Sequence, residues 1–273
     1  MQTIKYFMIF LILVSAFSCA AQNLKVAYKR IDTTELNLTA YLPDSINRGK
    51  KYPAMVFFFG GGWNDGGINQ FKTHAEYFSK KGIVCFLVDY RVSKRNNSTP
   101  FESLADAKSA IRYIRQHAAT FFVDTSKIIA AGGSAGGHLA AACAVVEKYN
   151  DKNDNLKFSC VPNALVLYNP VIDNGPGGYG YERVGEEYRY FSPLHNLKKG
   201  APPTIILIGT EDKLIPVETV KYYKIVMEKV GSRCDLILYE GAGHGFFNFK
   251  RKDYESTIME TVKFLRSLGH ISE

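Results

Sequence analysis

The chain has 273 residues, 46% hydrophobic and 22% charged, a globular composition with apolar mass for a substantial core. Lys and Arg number 34 against 26 Asp and Glu, a net charge of +8. The basic residues are scattered, as at Lys50-Lys51, Lys80-Lys81 and Lys198-Lys199, and aromatics are not interleaved with them in a nucleic-acid-binding pattern. That argues against a nucleic-acid interface and reads as a solvated basic surface.

The first residues read as a leader. Lys5 is followed by an apolar run from Tyr6 to Phe17, too short for a comfortable membrane span, and then by the small residues Ser18, Cys19, Ala20 and Ala21. A signal peptide over residues 1–21 is expected, with a single domain over 22–273. In a second reading Cys19 is acylated, and that lipid is the sole membrane attachment. Either route exports the protein. Cys85 and Cys143 lie in apolar runs and read as small buried hydrophobes. No cysteine spacing matches a zinc site, and pairing of Cys160 with Cys234 stays open.

Residues 26–31 and 35–42 alternate apolar and polar positions, which predicts a half-exposed antiparallel strand pair closed by Pro43. The pattern then changes to short apolar runs at 54–59, 83–88, 127–131, 164–168, 204–208 and 234–239. Most are continuous, as in strands buried on both faces of a parallel sheet. Helical segments are predicted between them at 71–81, 101–117, 135–148, 217–230 and 256–268. The alternation implies an α/β fold, a mostly parallel doubly wound sheet with helices on both faces. Ligands of such sheets bind beyond the carboxyl ends of the strands. One stretch breaks the rhythm: residues 173–190, rich in glycine and tyrosine, read as an insertion that lines a pocket or as a plain surface loop.

Gly132-Gly133-Ser134-Ala135-Gly136 fits G-x-S-x-G, with the strand KIIAA before it and the helix AGGHLAAACAVVEK after it. That strand–turn–helix context holds a strained serine at the tip of a sheet. A serine hydroxyl needs a base, and His244, in a glycine-rich loop after the last strand, stands where the order Ser…Asp/Glu…His places it. His138, four residues past the serine on the same helix, reads as a local packing residue. The acid that orients the base is Asp212 by chain order; Asp173, at another strand end, is the alternative. Donors for an oxyanion come from Ala135 and from the loop after the first buried strand, Phe59-Gly60-Gly61-Gly62-Trp63, with Gly61 and Gly62 as the chosen pair. The G-K-[ST] ending of a phosphate loop is absent there.

FGGGW, Asp89-Tyr90-Arg91, GGSAGGHLA, GTEDKLIP and GAGHGFFN, in this order, resemble the acetyl-esterase/lipase branch of the α/β hydrolases. That branch is close to hormone-sensitive-lipase-like esterases and to bacterial feruloyl and acetyl-xylan esterases. The resemblance runs from Lys25 to Leu268. It implies a Ser134–Asp212–His244 triad, an oxyanion hole of Gly61, Gly62 and Ala135, no metal, no cofactor, and a small ester or acylated carbohydrate as substrate. Two departures stand out. Phe59 replaces the histidine that many relatives carry before the glycines, removing its supporting hydrogen bonds, and too few residues precede Val26 for a helical cap. A serine peptidase of the same fold and a non-catalytic glycan-binding module are the competing readings.

Overall fold

The computed structural model describes residues 23–271; the leader and Cys19 lie outside the described residues. The first hairpin, β1 (Leu24–Ile31) and β2 (Thr34–Tyr41), precedes β3 (Tyr52–Phe58). Next come α1 (Lys72–Lys80), β4 (Val84–Val88), the single turn α2 (Ser93–Asn96) and α3 (Pro100–Gln116). The strand β5 (Val123–Gly133) runs straight into α4 (Ala135–Val145), followed by β6 (Ala164–Tyr168). The short helices α5 (Tyr181–Val184) and α6 (Tyr188–Phe191) lead to β7 (Thr204–Gly209), α7 (Val217–Lys229), β8 (Cys234–Tyr239) and α8 (Tyr254–Ser267).

Among the described residues eight strands form one sheet in the order β1-β2-β4-β3-β5-β6-β7-β8. β1 and β2, and β2 and β4, pair antiparallel, and every other neighbour pair is parallel. The crossovers are helical because parallel strands cannot be joined by tight turns. Alternation along β3 divides the core: Ala54, Val56 and Phe58 pack with α3, α4 and α7, whereas Met55 and Phe57 face α1 and α8. β5 and β6 lie near the sheet centre, and the carboxyl ends of β3, β5, β6, β7 and β8 share one edge. Ser134, Asp212, His244 and the glycine loop all follow strands on that edge.

Local chemistry sets several boundaries. α3 begins at a capping box, with Glu102 Oε2 accepting the Thr99 amide at 2.7 Å, and Pro100 occupies its first position. The Arg91 guanidinium grips Asp106 of α3 through Nε (2.7 Å) and Nη2 (2.9 Å), fixing the loop that follows β4. Cys85, Cys143, Cys160 and Cys234 are all free thiols, so Cys160 and Cys234 are not joined. Cys160 instead lies against the Cys143 carbonyl and the Arg112 guanidinium. No described helix is long and apolar enough to cross a membrane.

Candidate active site

Ser134 sits between β5 and α4 with φ 54° and ψ −122°. A non-glycine residue there carries strain of about 1–3 kcal/mol and persists only where neighbours hold it. They do: the Ser134 amide donates to the Tyr168 carbonyl (3.0 Å), and its own carbonyl accepts from the His138 and Val171 amides (3.0 and 3.1 Å). The motif glycines are explained by contact. A Cβ on Gly136 would fall inside the Phe58 carbonyl, and one on Gly132 inside the backbone of Gly136. Only hydrogen at these positions lets β5, α4 and β3 approach this closely.

Asp212 and His244 meet. His244 Nδ1 lies 2.7 Å from Asp212 Oδ2, while Asp212 Oδ1 accepts the Leu214 and Ile215 amides at 2.9 and 3.0 Å. Burial of the carboxyl works to raise its pKa, but the His244 bond and these two amides outweigh it, leaving Asp212 below the usual carboxylate range. A carboxylate at Nδ1 makes that the protonated nitrogen of the neutral ring and leaves Nε2 as an acceptor. Nε2 faces Asn169 Nδ2 at 3.4 Å, and no hydrogen bond joins Ser134 to the imidazole in this resting arrangement. Asp173, the alternative acid, does not face His244: its Oδ1 accepts the Gly175 amide at 2.8 Å and lies 3.7 Å from His195 Nδ1.

The glycine loop closes the third side. Gly60 packs against Ser134, whose Cβ lies 3.3 Å from where a Gly60 Cβ would be. Gly61 (φ 127°) and Gly62 (φ 64°) adopt conformations that favour glycine, and a Cβ on Gly61 would overlap the Asp65 carbonyl. The amides of Gly61 and Gly62 donate to no acceptor among the described residues, and the Ala135 amide lies in the first turn of α4, where no intrahelical partner exists. Phe59, in place of a histidine, stacks on Tyr90 with ring centroids 4.1 Å apart, and the Tyr90 hydroxyl donates to the Phe59 carbonyl at 2.6 Å. Further anchors are the Gln70 side chain on the Gly60 amide (2.6 Å) and Arg183 Nη1 on the Gly62 carbonyl.

The inserted stretch 173–190 is folded onto this loop. Arg183 lies over the rings of Trp63 (5.1 Å) and Tyr179 (5.2 Å). A cavity of about 390 Å³ opens between Gly61, Gly62, Tyr179 and Arg183, and another of about 410 Å³ lies between Asp173, Tyr179 and Lys213. His138 ties these parts together from below. Its ring meets Trp63 edge-on at 5.1 Å and its Nε2 lies 3.2 Å from the Phe191 carbonyl. Burial drops its pKa to about 3, against weaker opposing pulls from Phe191 and Asn174, so the ring is neutral.

Gln70, Asn169, Arg183 and Asn248 are the site residues that sequence reasoning misses. Asn169 alone carries a signal, since it directly follows the buried parallel strand β6. The other three are polar loop or helix residues whose contacts are long-range in sequence. Among the described residues no cluster of three or more His, Cys, Asp or Glu could hold a metal ion. The arrangement can activate a hydroxyl, carry its proton and receive a negative oxygen on backbone amides.

The BD-FAE family model matches residues 38–175, and the dienelactone hydrolase family model matches residues 170–264. Among solved structures, esterase 2 of Thermogutta terrifontis is 42% identical, with a TM-score of 0.88 over 92% of this chain and 96% of that one. An acetylxylan esterase of Xylanibacter ruminicola is 24% identical over 97% of this chain and 55% of its own length. Esterase LipC of Mycobacterium tuberculosis is 27% identical over 72% of this chain and 54% of its own. The chain thus spans about half the length of these curated relatives. Matched across half its length by the family model, and superposing on a solved esterase over nearly all of its sheet and helices, the chain belongs to the BD-FAE family of α/β-hydrolase esterases.

Proposed function

We propose that the protein is an exported serine carboxylesterase acting on short-chain or carbohydrate-linked esters of the acetyl or feruloyl type. The observation that carries this is the Asp212–His244 pair at 2.7 Å, on the same sheet edge as the strained Ser134 and the unpartnered amides of Gly61 and Gly62. Ser134 Oγ attacks the ester carbonyl as His244 Nε2 takes its proton. Charge gathering on the carbonyl oxygen is received by Gly61, Gly62 and Ala135. Asp212 holds the imidazole and stabilises its charged form. The C–O bond then breaks, His244 returns the proton to the alcohol, and water activated by the same imidazole releases the acid from Ser134. The Ser134–His244 hydrogen bond forms as substrate enters; such bonds are commonly long or misaligned in empty sites.

Likeness to an acetylxylan esterase and the two cavities flanking Tyr179 support acylated carbohydrate as the substrate class. The leader at residues 1–21, with lipidation of Cys19 as the variant route, supports a periplasmic, secreted or surface location. The test is hydrolysis of p-nitrophenyl acetate, butyrate and octanoate, methyl ferulate, acetylated xylan and a proline-containing peptide amide, by wild type and Ser134→Ala. Turnover of short esters is expected, with a loss of about 10⁶-fold in the variant, the scale on which a serine nucleophile acts. Equal rates for the two proteins would remove Ser134 from the reaction. Cleavage of the amide alone would favour a peptidase.

A further inference from the structure

The glycine loop and the histidine loop leave the sheet after different strands, β3 and β8, yet side-chain amides join them. Gln70, in the 3₁₀ turn Ile68–Phe71, accepts the Gly60 amide on Oε1 at 2.6 Å. Its Nε2 donates to Asn248 Oδ1 at 3.1 Å, and Asn248 Nδ2 donates to the Gly245 carbonyl at 2.8 Å. The Gly245 amide in turn donates to Asn169 Oδ1 at 3.1 Å, and Asn169 Nδ2 lies 3.4 Å from His244 Nε2. Gln70 thus uses its oxygen on the glycine loop and its nitrogen on the histidine loop, Asn248 and Asn169 brace the latter from either side of Gly245, and the three side-chain amides carry no titrating group.

We propose that Gln70 and Asn248 are positioning residues, forming an amide relay that sets the oxyanion loop in register with the His244 loop. Gly60 is the point of leverage. It is buried, touches Ser134 and immediately precedes the two amides assigned to the oxyanion. A shift of the Gly60 peptide therefore moves those donors relative to the nucleophile, whereas a shift at Gly245 moves the base. The relay makes the two displacements one. It adds to the hold that Tyr90 keeps on the loop at Phe59. The chemical consequence rests on the esterase reading; the mechanical one does not, and each has its own readout.

The experiment compares wild type with Gln70→Ala, Asn248→Ala and the double variant, and adds Gln70→Glu, which keeps the acceptor for Gly60 but withdraws the donor to Asn248. Hydrogen exchange is read at Gly60 and Asn248 under native conditions. Asn248→Ala should speed exchange at Gly60 about tenfold although it does not touch it, and Gln70→Ala should do the same at Asn248; that cross-loop effect belongs to a coupled pair. On p-nitrophenyl butyrate, each single variant should lose kcat by roughly 10²-fold, the scale of a small misplacement, with KM within about threefold. The double variant should be no slower than either single one. Gln70→Glu loses the same link as Asn248→Ala but offers Gly60 a charged and therefore stronger acceptor, so it should leave Gly60 protected yet remain slow. Exchange changes confined to the mutated loop, multiplicative losses of kcat, or losses in KM alone would overturn the relay. An inactive wild type would overturn the esterase reading and leave the exchange result to decide the relay.

Discussion

Asp212 is held by three hydrogen bonds, and the division among its oxygens bears on its role. Oδ1 is spent on the Leu214 and Ile215 amides, so the carboxylate cannot rotate away from the imidazole on Oδ2. Asp212→Asn keeps this shape but presents an amide nitrogen or a neutral oxygen to Nδ1, weakening both the tautomer and the charged imidazole. The expected loss in kcat is about 10⁴-fold, as for a triad acid in general. Asp173 is bound to its own loop and to the neighbourhood of His195, so Asp173→Asn should stay within about threefold of wild type. Steady-state kinetics of the two variants decides the assignment, and the reverse pattern would transfer the acid to Asp173. At this scale sequence order suffices to pair Asp212 with His244, because both residues lie in loops that follow strands whose succession is legible. Phe59, Gln70 and Asn248 are different. Their contacts depend on how the loop after β3 falls against those after β4 and β8, and no local pattern encodes that.

At the scale of elements, continuous apolar runs foretell the parallel strands well. β3, β4, β6 and β7 are buried on both faces almost throughout, so periodicity and environment agree. Helix ends are legible where a cap exists, as at Thr99-Pro100 before α3. They blur where tertiary contacts decide: α4 stops at Val145 although the sequence continues in a helical pattern to Lys148. There the carbonyls of Val146, Glu147 and Lys148 converge on the buried Lys108 ammonium, which rewards an extended exit over another helical turn. The stretch 173–190 could not be read as folded from its composition. Its order comes from outside: Phe191 packs on His138 and Trp63, Arg183 Nη1 donates to the Gly62 carbonyl, and the Asn174 amide donates to Ser192 Oγ at 3.1 Å. The insertion thus becomes a wall of the site through aromatic packing rather than through helix propensity.

For the whole molecule, two buried histidines link the site to acid stability. His138 lies under the glycine loop, and His74 sits between α1 and the sheet among Phe57, Phe71, Tyr168, Phe247 and Tyr254. Burial lowers both from the ordinary 6.5 to about 3. The unfolded chain therefore binds protons that the folded one refuses, and stability falls as pH drops from about 6.5 toward 3. Each imidazole contributes a slope of up to about 1.4 kcal/mol per pH unit in that window. Asp212, whose folded pKa is lowered from 3.8, adds its share only below that value. Urea unfolding at pH 7, 5.5 and 4.5 should show the decline, and His74→Phe, which suits the aromatic cage, should flatten it. A wild-type stability unchanged between pH 7 and 4.5 would contradict burial of the two neutral rings.

Activation of Ser134 as a nucleophile by its surroundings is tested, without presuming a substrate, by an active-site-directed fluorophosphonate. The probe needs the same three things as an ester: an activated hydroxyl, a base and donors for the developing oxyanion. Wild type should take up one equivalent, located on Ser134 by mass spectrometry. Ser134→Ala should take up none, and Asp212→Asn should react orders of magnitude more slowly. Absence of labelling in a folded wild type, or equal labelling of wild type and Ser134→Ala, would contradict the account.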